Sequence, residues 1–298
     1  MTTTLRPTEP LQHNTDGTRS RRYQVCVNSR PVGSMHLGTS AAFGDRMARI
    51  MDLRIDEPDR RRGRGTVAVL AAEEVARSWG CRQIETGVDG AAGAAGAAGA
   101  AGAAGAAGAA GAAGAAGAAL RLFEALGYVH RSRGMEKPLG EVPPQLPVGS
   151  LERPMGAAEF EAWLAYESEG YARVWIERGV PEAEAYAKSR HDHETLLPHG
   201  LATEDMLFSV LEHEGVRVGT LWVSLQDGKA FVFDVEADGA HRGRGHGRTL
   251  MLLAERQAIA AGRRALGLNV FAGNAPAERL YESLGYETTR YSLYKDLL

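Results

Sequence analysis

The stretch that most restricts how this chain can fold is DGAHRGRGHGRTLMLLAER, residues 238 to 256, where glycines alternate with basic residues and run straight into a helix-forming segment. A strand that turns through glycines into a helix presents unpaired backbone N–H groups, and with the helix dipole these make a place for an anion. Glycine lets such a guest approach the backbone closely. A weaker echo, EPDRRRGRGTVAVLAAEE, occupies residues 57 to 74, so the unit occurs twice.

Internal similarity extends beyond the turn. Setting Gly63 on Gly245 (an offset of 182) also places Gly65 on Gly247, Glu73 on Glu255, Gly80 on Gly262 and Asp52 on Asp234. Further on, LFEALGY (residues 122 to 128) matches LYESLGY (residues 280 to 286) at an offset of 158, and Lys137 matches Lys295. The 24-residue difference is extra sequence in the first copy, and ten uninterrupted Gly-Ala-Ala repeats at residues 90 to 119 account for it. The repeat has no proline, which argues against a collagen-like helix, and each glycine costs roughly 0.8 to 1 kcal/mol of helix propensity relative to alanine. It reads as a flexible or marginally helical surface loop without chemistry.

Period and punctuation give an α/β (α+β) chain. In the second copy, MLFSVLEHEG and VRVGTLWVSLQDG read as a hairpin and KAFVFDVEAD as a third strand. GRTLMLLAERQAIAAG then reads as a helix, ALGLNVF as a strand, APAERLYESLG as a helix and YETTRYSLYKDL as the last strand. FEAWLAYESEGYARVWIERG and PEAEAYAKSRHDHETLL read as two helices before the hairpin. The proline-rich GEVPPQLPVGS is the natural linker. The expected division is therefore a first domain over residues 1–139, a linker over 140–150 and a second domain over 151–298. The first copy has only about 22 residues before Tyr23, too few for both leading helices.

Bulk properties narrow the function classes. The 298 residues suffice for two cores, and 34 basic against 37 acidic residues (net charge −3) give no general attraction to nucleic acid or an anionic membrane. Two cysteines are too few for a disulfide framework and fit a reducing cytosol. No secretory signal and no run of about 18 apolar residues is present, so a cytoplasmic monomer or homodimer is expected.

Three anion-binding turns compete for residues 238 to 256. A nucleotide P-loop needs Gly-Lys-Ser/Thr, and the chain has no such tripeptide. The dinucleotide fingerprint needs G-x-G-x-x-G after a first parallel strand, whereas RGRGHG follows a hairpin and a third strand. The spacing R-x-x-G-x-G of Arg242, Gly245 and Gly247 on that scaffold resembles the GNAT family of N-acetyltransferases. So does LNVFAGNAPAERLYESLGY, with Asn274, Ala277 and Tyr281 spaced as in that family's later motif. The resemblance spans residues 151 to 298.

The resemblance implies two GNAT-like domains, each a mixed, mostly antiparallel sheet flanked by helices, with a splayed strand pair that receives coenzyme A. It implicates Val235, Glu236 and Ala237 for the pantetheine arm and thioester. It gives the diphosphate to Arg242, Gly243, Arg244, Gly245, His246, Gly247 and Arg248, with Asn274 bonding the arm from the other side. Tyr281 matches the tyrosine that protonates the leaving thiolate. The implied reaction moves the acetyl group of acetyl-CoA to a primary amine of a small molecule or peptide.

Asp234 and Glu236 alternate with apolar residues, share a strand face and are candidate bases. The plainer readings are a solvated strand face for these two and a packed aromatic for Tyr281. Trp163, Tyr166, Tyr171 and Trp175 read as core near helical spacing, and His191 and His193 as an exposed helix end rather than a metal site. In the first copy Phe123 replaces Tyr281 and no asparagine matches Asn274. Arg60, Gly63, Arg64, Gly65 and Thr66 keep a possible second cofactor turn there, in a domain expected to be catalytically idle. The alternatives are a non-enzymatic acetyl-CoA-binding or partner-binding module and a tandem enzyme like the mycothiol synthases.

Overall fold

The computed structural model describes residues 3–40, 43–90, 106–225 and 228–297. In chain order the strands and helices are β1 (Thr3–Pro7), β2 (Gln12–His13), β3 (Arg19–Val27), β4 (Arg30–Ser40), β5 (Gly44–Ile55), α1 (Arg64–Ser78), β6 (Gln83–Asp89), α2 (Ala106–Ala125), β7 (Val129–Pro138), β8 (Ser150–Pro154), α3 (Ala157–Ile176), α4 (Glu182–Leu196), β9 (Met206–His213), β10 (Val216–Ser224), β11 (Ala230–Ala237), α5 (His246–Ala260), β12 (Ala265–Phe271), α6 (Ala275–Ser283) and β13 (Glu287–Asp296). They form two compact units, one of Met1–Arg133 with Thr288–Leu298 and one of Gly134–Glu287.

In the first unit the strand order is β1, β3, β4, β5, β6, β13, with β2 on β3. Only β5 and β6 run parallel; the other pairs are antiparallel. In the second unit the order is β7, β12, β11, β10, β9, β8, and β11 and β12 are the parallel pair. The hairpin, third strand and helices expected for the second copy fall where the sequence places them. Strand β8 is an addition, formed by SLERP at the end of the proline-rich linker and paired with β9.

The main departure from the sequence division is β13. Its residues Arg290–Asp296 pair with Asp89–Gln83 of β6, so the strand that reads as the end of the second copy closes the sheet of the first unit. Leu293 and Leu297 are buried in the first core beside Val25 and Ile84, whereas Met135 and Leu139 are buried in the second core with Leu266 and Leu268. A repeated ion pair marks the arrangement. The Lys295 ammonium donates to both carboxylate oxygens of Glu73 at 2.9 Å, and Lys137 donates to Glu255 at 2.7 Å. Tyr128 and Tyr286 cover the two ammonium groups, with ring centroids 5.8 and 5.7 Å away. The two lysines are equivalent in the repeat and so are the two glutamates, so either pairing satisfies the local chemistry; strand placement selects between them.

The Gly-Ala-Ala tract is not all loop. Residues 91–105 lie outside the described residues, but from Ala106 the tract is the front of α2, which runs on through LRLFEA. Leu120, Leu122 and Phe123 of that continuation pack on the first core, so tertiary burial at one end carries a segment of weak propensity as helix.

Glu73 is 2% exposed, and with Lys295 gone its nearest remaining cation is Arg77 at 3.9 Å. Lys295→Met is therefore expected to destabilise the first unit by about 3 kcal/mol, the typical result of leaving one buried charge without its partner. Hydrogen exchange of the β6 and α1 amides checks this: protection should fall there while the β10 amides keep theirs.

Candidate active site

Helix α5 starts after Gly245, whose φ of 89° lies in the left-handed region, and α1 starts after Gly63 at φ 73°. A side chain in that conformation costs roughly 1 to 2 kcal/mol, which accounts for glycine at both positions. Neither helix start has a side-chain cap, in contrast to α6, where Asn274 Oδ1 accepts the Ala277 N–H at 3.3 Å. The first-turn N–H groups of α5 are thus left to an incoming acceptor. Arg242, Arg244 and Arg248 stand exposed around this turn. His246 does not: its ring is buried, 5.3 Å from that of His213, and burial with two neighbouring histidines lowers its pKa.

The strand that feeds the turn is bulged. Val232 pairs with Val223 and Asp234 with Trp222, so Phe233 is an extra residue on β11. Ala230 and Val232 point into the core beneath α5, and beyond the bulge Val235 packs on that same core. In an unbroken strand Asp234 and Glu236 would share the face of Ala230 and Val232. The extra residue turns them to the opposite face, under α3. Pairing of β11 with β12 stops at Val232 and Leu268, while β11 stays bonded to β10 as far as Ala237. A gap therefore opens between the two parallel strands, and it leads toward the glycine turn. The first unit repeats both features: the bulge falls at Met51, and β5 pairs with β6 only over Met47–Ile50.

Helix α3 lays a row of groups over the two carboxylates. The Trp163 indole N–H donates to Asp234 Oδ2 at 3.1 Å, and the Tyr166 hydroxyl donates to Glu236 Oε1 at 3.2 Å. Trp163 is fixed by an aromatic cluster with Phe160, Phe208 and Trp222, its ring 5.5 Å from Trp222. One helical turn after Trp163, Glu167 enters the same space. Among the described residues no group hydrogen-bonds its carboxyl. Burial, with the neighbouring Asp234 and Glu236 carboxylates, raises its pKa well above the usual range. Asp234 is raised as well, by burial first and Glu236 next, against the lowering effect of the Trp163 hydrogen bond. Glu236 is held by Arg242, whose guanidinium donates to Oε1 at 2.6 Å and whose Nε donates to the Ala237 carbonyl at 3.3 Å.

Tyr281 completes the group from α6. Its side chain is 7% exposed, and burial together with the Asp234 charge pushes its pKa up to about 12. Its hydroxyl has no hydrogen-bond partner among the described residues. The structure therefore gathers Asp234, Glu236, Arg242 and Tyr281, all singled out by sequence, and adds Glu167 and Tyr166. Glu167 was hidden among the carboxylates of EFEAWLAYESEG, with its spacing from Trp163 as the only signal. Of the four aromatics read as core, Trp163 and Trp175 are buried, but Tyr166 is 61% exposed and reaches Glu236. His193 is also no exposed helix end: it is buried, held at Nδ1 by the Ser189 carbonyl at 2.7 Å and stacked on Trp222. No cluster able to hold a metal ion occurs among the described residues. A separate cleft of about 420 Å³ between α3 and α4 is lined by Ser168, Glu169, Tyr186, Arg190 and Glu194, and none of the groups bonded to Asp234 or Glu236 reaches it.

The first unit lacks this assembly. Arg54 stands in the place of Glu236 and Phe123 in that of Tyr281, and no described helix precedes β3 to supply counterparts of Trp163, Tyr166 and Glu167.

The profile of the family described as "Acetyltransferase (GNAT) family" matches residues 2–97 and 161–286. The chain is 32% identical over 151 residues to the uncharacterized N-acetyltransferase YycN of Bacillus subtilis (strain 168), covering 48% of this chain and 96% of the relative. It is 30% identical over 149 residues to the uncharacterized N-acetyltransferase YdgE of the same organism, covering 48% and 95%. Among solved structures, a GCN5-related N-acetyltransferase from Sphaerobacter thermophilus superposes with a TM-score of 0.55 at 19% identity, over 93% of this chain and 80% of that one, a likeness of fold.

The raised carboxyl pKa values have a stability consequence with a definite sign. Glu167 and Asp234 bind protons more tightly folded than unfolded, so their contribution is complete below about pH 4 and is lost as pH rises through the elevated folded range. Glu167→Gln removes that loss. The variant is expected to gain on the order of 1 kcal/mol over the native protein at alkaline pH and nothing at pH 4. Denaturant midpoints of both proteins across that range check it.

Proposed function

Because the chain belongs to the GNAT acetyltransferase family, we propose that its second unit transfers the acetyl group of acetyl-CoA directly to a primary amine within one ternary complex. The observation that supports this reading is Tyr281, a side chain 7% exposed whose hydroxyl has no hydrogen-bond partner among the described residues and whose proton is held by burial and the Asp234 charge. The uncapped, glycine-led start of α5, with Arg242, Arg244 and Arg248 around it, suits the coenzyme's diphosphate, which Gly243, Gly245 and Gly247 leave room to approach. The edge of Val235, Glu236 and Ala237, beyond the last β12 pair, suits its amide-bearing arm, and Asn274, which caps α6 through Oδ1, is assigned to the arm's other side. Bound there, the coenzyme supplies a thioester as acetyl donor.

The side chains then divide the proton work. The Glu167–Asp234 pair takes the proton from the amine nitrogen as its lone pair forms the new C–N bond and the C–S bond breaks. Tyr281 gives its proton to the departing sulfur. The Asp234 charge is one of the two causes that hold the phenol's proton. When the carboxyl pair gains the amine's proton that cause vanishes, so the base step strengthens the acid. Return of the proton from the carboxyl pair to the phenolate restores the site, and the products are an amide and a thiol. The first unit keeps the turn at Arg60, Gly63, Arg64, Gly65 and Thr66, but with Phe123 and Arg54 in the key places it is assigned no turnover.

Tyr281→Phe is expected to lower kcat by about 10²-fold or more, as loss of a general acid does. Phenylalanine already packs at the equivalent position of the first unit, where Phe123 is 4% exposed, so the fold tolerates the change. Thiol release with a panel of amines, alongside calorimetry with coenzyme A, reads this: kcat should fall while coenzyme affinity holds. The rate of the native protein should rise with pH across the raised carboxyl range rather than near pH 4, because the pair must be deprotonated to act. Equal rates for native and Phe variants would overturn the role of Tyr281.

A further inference from the structure

The acceptor side of the second unit holds more negative charge than transfer to a simple amine requires. Glu167 of α3 meets the charges of Asp234 and Glu236 beneath that helix, and the two strand carboxylates share a face with their backbone positions roughly 6.6 Å apart. They are not equivalent. Asp234 is the one whose charge acts on Tyr281, a side chain 7% exposed whose hydroxyl has no hydrogen-bond partner among the described residues, and this is the reacting end of the proposed transfer. Glu236 lies toward the glycine turn, where Arg242 holds it at 2.6 Å and Tyr166 bonds the same oxygen.

Among the described residues, Arg242 is the cation bonded to this cluster, and it also stands at the turn assigned to the diphosphate. A diphosphate offers its guanidinium, 65% exposed, a stronger set of acceptors than one carboxylate does. Drawing Arg242 toward the turn leaves Glu236, only 29% exposed, with the Tyr166 hydroxyl but without a cation. The arrangement thus links filling of the coenzyme site to the appearance of a second cation-binding carboxylate in the acceptor site.

We propose that the acceptor is a dicationic amine of the alkane diamine class, whose second ammonium binds Glu236 once the coenzyme has taken Arg242. This rests on the transferase reading of the second unit. The first ammonium loses one proton to solvent at the Glu167–Asp234 end, and the neutral amine then gives a second to that pair as it is acetylated; the second ammonium stays charged and unreacted on Glu236. Binding is ordered, coenzyme first.

The test uses the full-length protein. Initial rates of thiol release from acetyl-CoA are compared for putrescine, cadaverine and the matched monoamine butylamine, and putrescine binding is followed by calorimetry with and without coenzyme A. The diamines are expected to exceed butylamine in kcat/KM by about 10- to 100-fold, the difference residing in KM, as loss of one charge-assisted contact predicts. Putrescine heat should appear only with coenzyme A present, and Glu236→Gln should bring the diamine-to-monoamine ratio toward one. Equal kcat/KM for diamines and butylamine in the native protein, or a ratio that Glu236→Gln leaves intact, overturns the proposal while the transferase reading stands. So does coenzyme binding without turnover of any of these amines, and so does putrescine binding that ignores the coenzyme. Absence of both coenzyme binding and turnover overturns the transferase reading and this inference with it. The native comparison decides the matter even if the variant fails to fold.

Discussion

One extra residue in β11 determines what the second unit can do. Strand geometry alternates faces, so a regular β11 would send Asp234 and Glu236 into the apolar layer under α5, next to Val232 and Leu250. Two carboxylates there would have no partners, at a cost of several kcal/mol each. The bulge at Phe233 moves them to the other face, where the Trp163 N–H and the Tyr166 hydroxyl meet them. It also coincides with the end of β12 pairing, so one irregularity both aims the acidic groups and precedes the gap that suits the coenzyme arm.

The same irregularity in β5 shows that this frame forms without the side chains laid over it in the second unit. Met51 bulges as Phe233 does, the strands part at the equivalent place, and Gly63 takes the same left-handed turn as Gly245. What differs is the set of side chains laid over the frame: Arg54 for Glu236, Phe123 for Tyr281, and no helical layer corresponding to α3. The backbone features serve the fold in both units, whereas the side chains gathered around Asp234 are separable from it.

Within the second unit, electrostatics ties the site together. Burial first, and neighbouring carboxylates second, raise the pKa values of Glu167 and Asp234, which moves these carboxyl groups toward neutral pH. Burial and then the Asp234 charge keep the proton on Tyr281. Arg242 neutralises the remaining carboxylate, Glu236, from the glycine turn. Each group's protonation thus depends on its neighbours, as acid–base catalysis near neutral pH requires.

Much of this was legible in the residues. Local punctuation announced the elements of the second unit, and the paired R-x-x-G-x-G turns announced the duplication, because glycine and helix-start chemistry act over a few neighbouring residues. The later motif with Asn274 and Tyr281 pointed to the family for the same reason. Glu167 was not legible: a glutamate in a helix rich in glutamates reads as solvated until another element is packed against it. Nor did the alanine-rich tract reveal that its tail is helical, since that depends on Leu122 and Phe123 reaching the first core.

The sequence by itself determined the two copies, the turns that favour an anion and the phenylalanine that stands in the first copy where the second has Tyr281. Tertiary structure decided which lysine meets which glutamate, that β13 closes the first unit's sheet, and which of many carboxylates share a space with Tyr281. The physical reason is range: propensity and capping act along the chain within a turn or two. Burial, strand pairing and charge coupling depend on residues far apart in sequence, such as Glu73 and Lys295 or Glu167 and Asp234, which only the folded chain brings together.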